Sequence, residues 1–241
     1  MLESEEMSVT FTGPVAARIE LDRQNAASLI DHTLLRPEAS EVQIISHCQQ
    51  AVEYGFATVF VYSHWLPLAG SVLRGTPVRL GTPVGFPYGA ALTSNKRAET
   101  EAALRLGVHE VDMVMNIGAL KSGNRALVES DIKAVVELAQ PAGAIVKVIL
   151  ETALLNVEEK ILACELSVAA GAAFVKTCTG FNGGAATAED IALMRGVVGE
   201  RAGVKAAGGI RTAAALLSMV EAGATRIGTS TGVQIIEEMG A

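Results

Sequence analysis

Short apolar runs rich in β-branched residues alternate along the chain with longer segments whose apolar positions recur every three or four residues. Strands are predicted over 31–35 ("DHTLL"), 57–62 ("ATVFVY"), 78–86, 110–118 ("EVDMVMNIG") and 144–151 ("AIVKVILE"). Three more follow at 172–181 ("AAFVKTCTGF"), 203–209 and 225–230. Helical periodicity fills most intervals: 40–55 with Ser40 as cap, 94–107 capped by Ser94 and stopped by Gly107, 125–140, and 157–171 ending at Gly171. Further helices are predicted near 187–199, 211–223 and 232–239.

About eight β/α units match the count of a (β/α)8 TIM barrel, an α/β fold. The strand runs are apolar on both faces, which suits parallel strands covered by helices. Alternation alone does not establish closure, so a doubly wound open sheet is the structural rival. Neither GxGxxG nor GxxxxGK[ST] occurs, which removes the usual nucleotide reasons for an open sheet. The acidic start lacks a long apolar stretch and reads as an N-terminal extension over 1–25, possible partial disorder included, ahead of one barrel domain over 26–241.

Half of the 241 residues are apolar and 4% are aromatic, so the core must rest on Val, Ile, Leu and Ala. The net charge of −7 argues against nucleic acid or an anionic membrane as partner, but leaves room for a small anion in a local site. Cys48, Cys164 and Cys178 are odd in number and widely spaced, with no CxxC. A disulfide framework or zinc site is not expected, and a reducing, cytoplasmic setting is. No membrane span is expected either.

Charge appears where apolar strands should avoid it. Asp112 and Asn116 share a face of one strand by period-2 alternation, and Lys147 and Glu151 share a face of the next. Lys176 and Lys205 stand in the two strands that follow the next helices. In a barrel such groups converge on one mouth and must pair with each other. Lys147 and Glu151 read equally well as structural partners holding that network. For Asp31 and His32 an ordinary turn or cap fits as well as a site role. His47 and His64 read as surface or core residues, and His109 has no metal-like spacing to any other ligand. "AAGGIRT" (206–212) and "GTSTG" (228–232) follow the seventh and eighth strands, where barrels often hold a phosphate.

A free lysine has a pKa of about 10.4, so only about 1 in 2,500 is neutral at pH 7. Burial and a neighbouring cation both lower that pKa, and Lys205 is the expected neighbour of Lys176. With Asp112 moving protons, the set suits Schiff-base carbon–carbon chemistry on a phosphorylated carbonyl compound. Two rivals remain at this point: an isomerase or synthase whose lysines only bind anions, and a non-catalytic sugar-phosphate binder.

The motifs "IDHTLL", "VGFPYGA", "EVDMVMNIGALKSG", "VKVILETALL", "FVKTCTGF", "VKAAGGIRT" and "RIGTSTG" closely resemble, in order, those of the 2-deoxyribose-5-phosphate aldolase family, from about Ile30 to about Gly232. The resemblance implies a class I aldolase on a (β/α)8 barrel, without metal or organic cofactor. It implies reversible cleavage of 2-deoxy-D-ribose 5-phosphate to D-glyceraldehyde 3-phosphate and acetaldehyde, in deoxyribonucleoside catabolism. Lys176 would be the Schiff-base lysine, Lys205 the perturbing second lysine, and Asp112 the acid/base partner. Asp31 would orient the lysines, and Gly180, Gly208, Gly209, Ser230 and Thr231 would lie around the phosphate. A homodimer or another homo-oligomer is implied as well.

Two departures stand out. Some family members carry a cysteine where this chain has Phe60, which implies better tolerance of concentrated acetaldehyde here. Cys178 replaces a usual serine, and its thiol next to Lys176 is a candidate for reactivity of its own.

Overall fold

Eight strands pair in parallel, strictly in chain order: β1 (Ile30–Leu34), β2 (Thr58–Val61), β3 (Arg79–Val84), β4 (Glu110–Val114), β5 (Ile145–Ile149), β6 (Phe174–Lys176), β7 (Gly203–Ala207) and β8 (Arg226–Thr229). β8 then pairs back onto β1, with Asp31 opposite Gly228. That last ladder closes the sheet, so the open-sheet rival is excluded and the fold is a (β/α)8 barrel. The computed structural model describes residues 21–240; most of the expected N-terminal extension, residues 1–20, lies outside them.

Ten α-helices accompany the strands among the described residues: α1 (Arg23–Ser28), α2 (Glu41–Tyr54), α3 (Leu66–Leu73), α4 (Thr93–Arg105), α5 (Ile117–Lys121), α6 (Arg125–Ala139), α7 (Val157–Ala169), α8 (Ala188–Val198), α9 (Ala213–Glu221) and α10 (Gly232–Glu238). None is long and apolar enough to cross a membrane.

Local chemistry sets most helix ends. The Ser40 N–H donates to Gln43 Oε1 at 2.9 Å, half of the capping box that starts α2. Asn156 and Glu159 make the same reciprocal pair at α7. Ser94 does not cap α4 as the sequence suggested. The helix begins at Thr93 with Leu92 in the cap position, and the Thr93 hydroxyl is spent on Asp131 at 2.8 Å. α3 escaped the periodicity reading because Pro67 and Gly70 interrupt it. A proline in the first turn lacks only an N–H that the helix does not need, so it is tolerated there.

Alternation along each strand divides two environments. Val111 and Met113 of β4, Val146 and Val148 of β5, and Val204 and Ala206 of β7 belong to the apolar layer between sheet and helices. The intervening residues Glu110, Asp112, Lys147 and Lys205 project into the barrel and are fully buried there. The barrel interior is thus charged at mid-height, inside an aliphatic sleeve.

Candidate active site

Asp112 is the hub of the barrel interior. Its Oδ2 accepts hydrogen bonds from Lys176 Nζ and Lys205 Nζ, each at 2.7 Å, and its Oδ1 accepts from Lys147 Nζ at 2.9 Å. The strand register brings these groups together, because Asp112 lies opposite Lys147 and Lys176 opposite Lys205. A second tier lies toward the strand starts. Asp31 pairs with Lys205 and with Arg226 Nη1, the latter at 2.7 Å, while Glu110 pairs with Lys147 at 2.5 Å and with Arg226 at 3.1 Å.

Phe60 of β2 lies beneath two of the amines. Its ring centroid is 4.4 Å from Lys147 Nζ and 4.1 Å from Lys205 Nζ, a cation–π arrangement on both. The ring fits because the facing residue of β3 is Gly81. A Cβ there would stand 2.5 Å from the ring edge.

The electrostatics follow from this packing. Burial alone would raise Asp112, but Lys147, Lys176 and Lys205 outweigh it and hold its carboxyl well below the usual range. Burial likewise works against ionised Asp31, and Lys147, Lys205 and Arg226 overcome it, so its pKa is also lowered. Burial would lower Lys147, yet its three carboxylate neighbours hold it above the usual value. Lys205 goes the other way. Burial and the adjacent Lys176 and Lys147 bring it down to about 8, against the pull of Asp112 and Asp31.

Above this cluster opens a cavity of about 740 Å³. Lys176 lines it; Lys205, Lys147 and Asp112 do not. Gly180, Gly208, Gly209 and Ser230 also line it, together with the cationic side chains of Arg36 and Arg211. Gly208 and Gly209 have φ of +100° and +77°, a left-handed pair that turns the chain sharply after β7. A buried amine that shares a carboxylate oxygen with a second amine, and alone reaches a cavity with glycine-rich walls, is equipped to attack a carbonyl carbon.

The model of the DeoC/LacD family aldolases matches residues 25–238. The chain belongs to the DeoC/LacD aldolase family. It is 53% identical over 213 residues to a deoxyribose-phosphate aldolase of Geobacillus sp. (strain WCH70), covering 88% of this chain and 95% of that one. It is 55% identical over 208 residues to one from Streptococcus sanguinis (strain SK36), covering 86% and 94%. A tetrameric deoxyribose phosphate aldolase from Aeropyrum pernix superimposes with a TM-score of 0.86 at 32% identity, covering 91% of this chain and 93% of that one.

In this DeoC/LacD aldolase several residues take places that the sequence reading did not assign. Glu151 is not a partner of Lys147. It leaves the end of β5 with φ 57°, and its carboxylate accepts from Thr179 Oγ1 at 2.5 Å and Asn182 Nδ2 at 2.8 Å, so it holds the loop after β6. Asn116 has left the face of Asp112 and caps α5, accepting from the Ala119 N–H at 3.0 Å. Thr231 does not line the cavity. Its N–H donates to Thr229 Oγ1 at 3.1 Å, behind the wall.

His32 faces the helix layer, stacked on His47 with ring centroids 3.7 Å apart, and burial lowers its pKa to about 4. Cys178 is fully buried, and burial raises its thiol, both of which weigh against the reactivity that its position suggested. Among the described residues no cluster of His, Cys, Asp and Glu is placed to hold a metal ion.

Glu110, Arg226 and Arg211 were missed by the sequence reading. Glu110 shares the face of Asp112 by simple alternation, and that signal was there to be used. Arg211 follows Gly209 by two positions, within a motif read only for its glycines.

Proposed function

We propose that this family member is a class I aldolase that cleaves 2-deoxy-D-ribose 5-phosphate reversibly to D-glyceraldehyde 3-phosphate and acetaldehyde. The observation that carries the proposal is the shared Asp112 oxygen with Lys176 as the one cluster amine on the cavity. The naming of relatives more than 50% identical over most of both chains supports the substrate.

In this reading Lys176 Nζ, as the neutral amine, adds to the C1 aldehyde of the open-chain sugar. Loss of water gives an iminium. The C3 hydroxyl gives its proton to the Asp112–Lys205 pair, directly or through water. The C2–C3 electron pair then moves into the iminium, leaving an enamine on Lys176 and releasing glyceraldehyde 3-phosphate. The pair returns a proton to the enamine carbon, and water hydrolyses the resulting iminium to acetaldehyde and free Lys176.

The phosphate would sit against the backbone of Gly180, Gly208 and Gly209 and the Ser230 hydroxyl, within reach of Arg211. Asp31 and Lys147 would keep Asp112 and Lys205 in place. A cytoplasmic role in deoxyribonucleoside catabolism and a homo-oligomeric assembly complete the reading.

Borohydride added with acetaldehyde tests it. A single reduced adduct should form, and peptide mapping should place it on Lys176. Adduct elsewhere, or none while sugar-phosphate cleavage proceeds, would overturn the assignment.

A further inference from the structure

Counting charges in the barrel interior exposes an imbalance. Lys147, Lys176, Lys205 and Arg226 face three carboxylates, Asp31, Glu110 and Asp112. Fully ionised, the cluster holds one positive charge too many in a place where uncompensated charge is costly. Losing one proton removes the excess.

The proton cannot come from Arg226, because a guanidinium stays charged in proteins. Lys147 is an unsuitable source as well, since its ammonium touches Glu110, Asp112 and Asp31. The neutral amine therefore falls to the Lys176–Lys205 pair, which meets at one Asp112 oxygen and adds only Asp31, on Lys205, as a further carboxylate. The other walls add nothing that titrates in this range. β2 contributes Thr58 and Phe60, and β3 contributes Arg79, whose largely exposed guanidinium meets Glu110 only at 3.5 Å.

We propose that Glu110 and Arg226, at the starts of β4 and β8 and beneath the reacting groups, are positioning residues that set how readily the lysine pair gives up its proton. The inference rests on the Schiff-base reading above and deepens it. Glu110 contributes the negative charge that keeps Lys147 an ammonium, and Arg226 contributes the positive charge that makes the cluster one cation too rich. Neither lines the cavity, so both act through Lys147 and Asp31 rather than on substrate.

Opposite shifts distinguish this from a merely structural role. The chemical step needs a free amine, so kcat/KM and the rate of borohydride trapping with acetaldehyde rise with pH along an acid limb. Glu110→Gln adds to the positive excess and should move that limb to lower pH by about one unit, the size of a nearby unit charge at an intermediate dielectric. Arg226→Gln removes the excess and should move it to higher pH by about as much. Arg226→Lys keeps the charge and should keep the wild-type limb. The double variant restores the balance and should return the limb toward wild type; where one single variant does not fold, the shift between the other single variant and the double variant carries the test.

If wild type traps acetaldehyde on Lys176 but the limbs of Glu110→Gln and Arg226→Gln stay at the wild-type position or move in the same direction, this inference fails and the aldolase reading survives. If wild type never traps acetaldehyde there, the aldolase reading itself has failed.

Discussion

Lys176 and Lys205 donate to one and the same oxygen, Oδ2 of Asp112, at equal distances of 2.7 Å. Two ammonium groups so close repel each other, and Lys205 has a second carboxylate, Asp31, whereas Lys176 has only Asp112 among the described residues. Access breaks the symmetry: Lys205 is fully buried, while Lys176 reaches the cavity.

Replacing Lys176 by arginine keeps the positive charge and removes the nucleophile. A guanidinium is never neutral near pH 7, so no Schiff base can form. Cleavage of deoxyribose 5-phosphate, followed by release of glyceraldehyde 3-phosphate, should fall by at least about 1,000-fold, in line with loss of covalent and proton-transfer catalysis together. Borohydride trapping should vanish with it.

Asp112→Asn removes the only group among the described residues that touches Lys147, Lys176 and Lys205 together. Three amines would then converge on a neutral amide, and the loss of a partner from a buried ion cluster typically costs about 3–5 kcal/mol. The variant should melt at a lower temperature than wild type and turn over about 100- to 10,000-fold more slowly. Differential scanning calorimetry beside a steady-state assay reads both effects. A fall in rate without a fall in stability would mean that the lysines do not depend on Asp112 for their place.

Acid should unfold the protein through the same carboxylates. Asp31 and Asp112 are held below their ordinary value of 3.8 when folded. The unfolded chain therefore binds more protons in that range, and stability falls as pH falls. Their contribution is complete well above pH 4 and is lost progressively below it. Lys205 acts in the alkaline range. Its folded value of about 8 lies under the ordinary 10.5, so its burial weighs against folding at neutral pH. That penalty fades as pH rises from 8 toward 10.5. Urea midpoints from pH 3 to pH 10, compared with Lys205→Met, should show both slopes, the second absent in the variant.

Glu151 couples the end of β5 to the loop after β6, which carries Gly180 on the cavity wall. A side chain with positive φ is held there against a cost of about 1–3 kcal/mol, which its three ligands in that loop repay. Glu151→Gln should loosen the loop and raise KM for deoxyribose 5-phosphate about tenfold while leaving kcat within about threefold. The same variant should handle unphosphorylated deoxyribose much as wild type does. Equal losses on both substrates would place Glu151 in the chemistry instead.

The barrel was legible because its strands obey a simple rule: β-branched residues face the helices and the exceptions face inward. Lys176, Lys205 and Asp112 stood out as exceptions inside otherwise apolar runs. Glu110 and Arg226 are exceptions of the same kind, but they sit at strand starts, where charge is ordinary and draws no notice. α3 was hidden by a proline that is harmless in a first turn. The role of Glu151 was not legible at all. Period-2 alternation placed it beside Lys147, and only the left-handed turn at its own backbone swings it away. No one-dimensional pattern announces a positive φ at a glutamate.

Concentrated acetaldehyde attacks exposed thiolates, and this chain offers none among its described residues. Cys48, Cys164 and Cys178 are all fully buried. Burial lifts Cys48 to about 11 and Cys164 to about 12, and it raises Cys178 as well. Thiolate is the reactive form, so its population near pH 7 is very small at each site. Phe60 occupies the interior position where some relatives carry a further cysteine, and its ring is itself sealed beneath the lysines. Incubation with acetaldehyde at a few tenths molar should therefore leave intact mass unchanged apart from adduct on lysine, and activity should recover after dilution. Mass shifts mapped to any of the three cysteines, with matching loss of activity, would show that the barrel opens often enough to expose them.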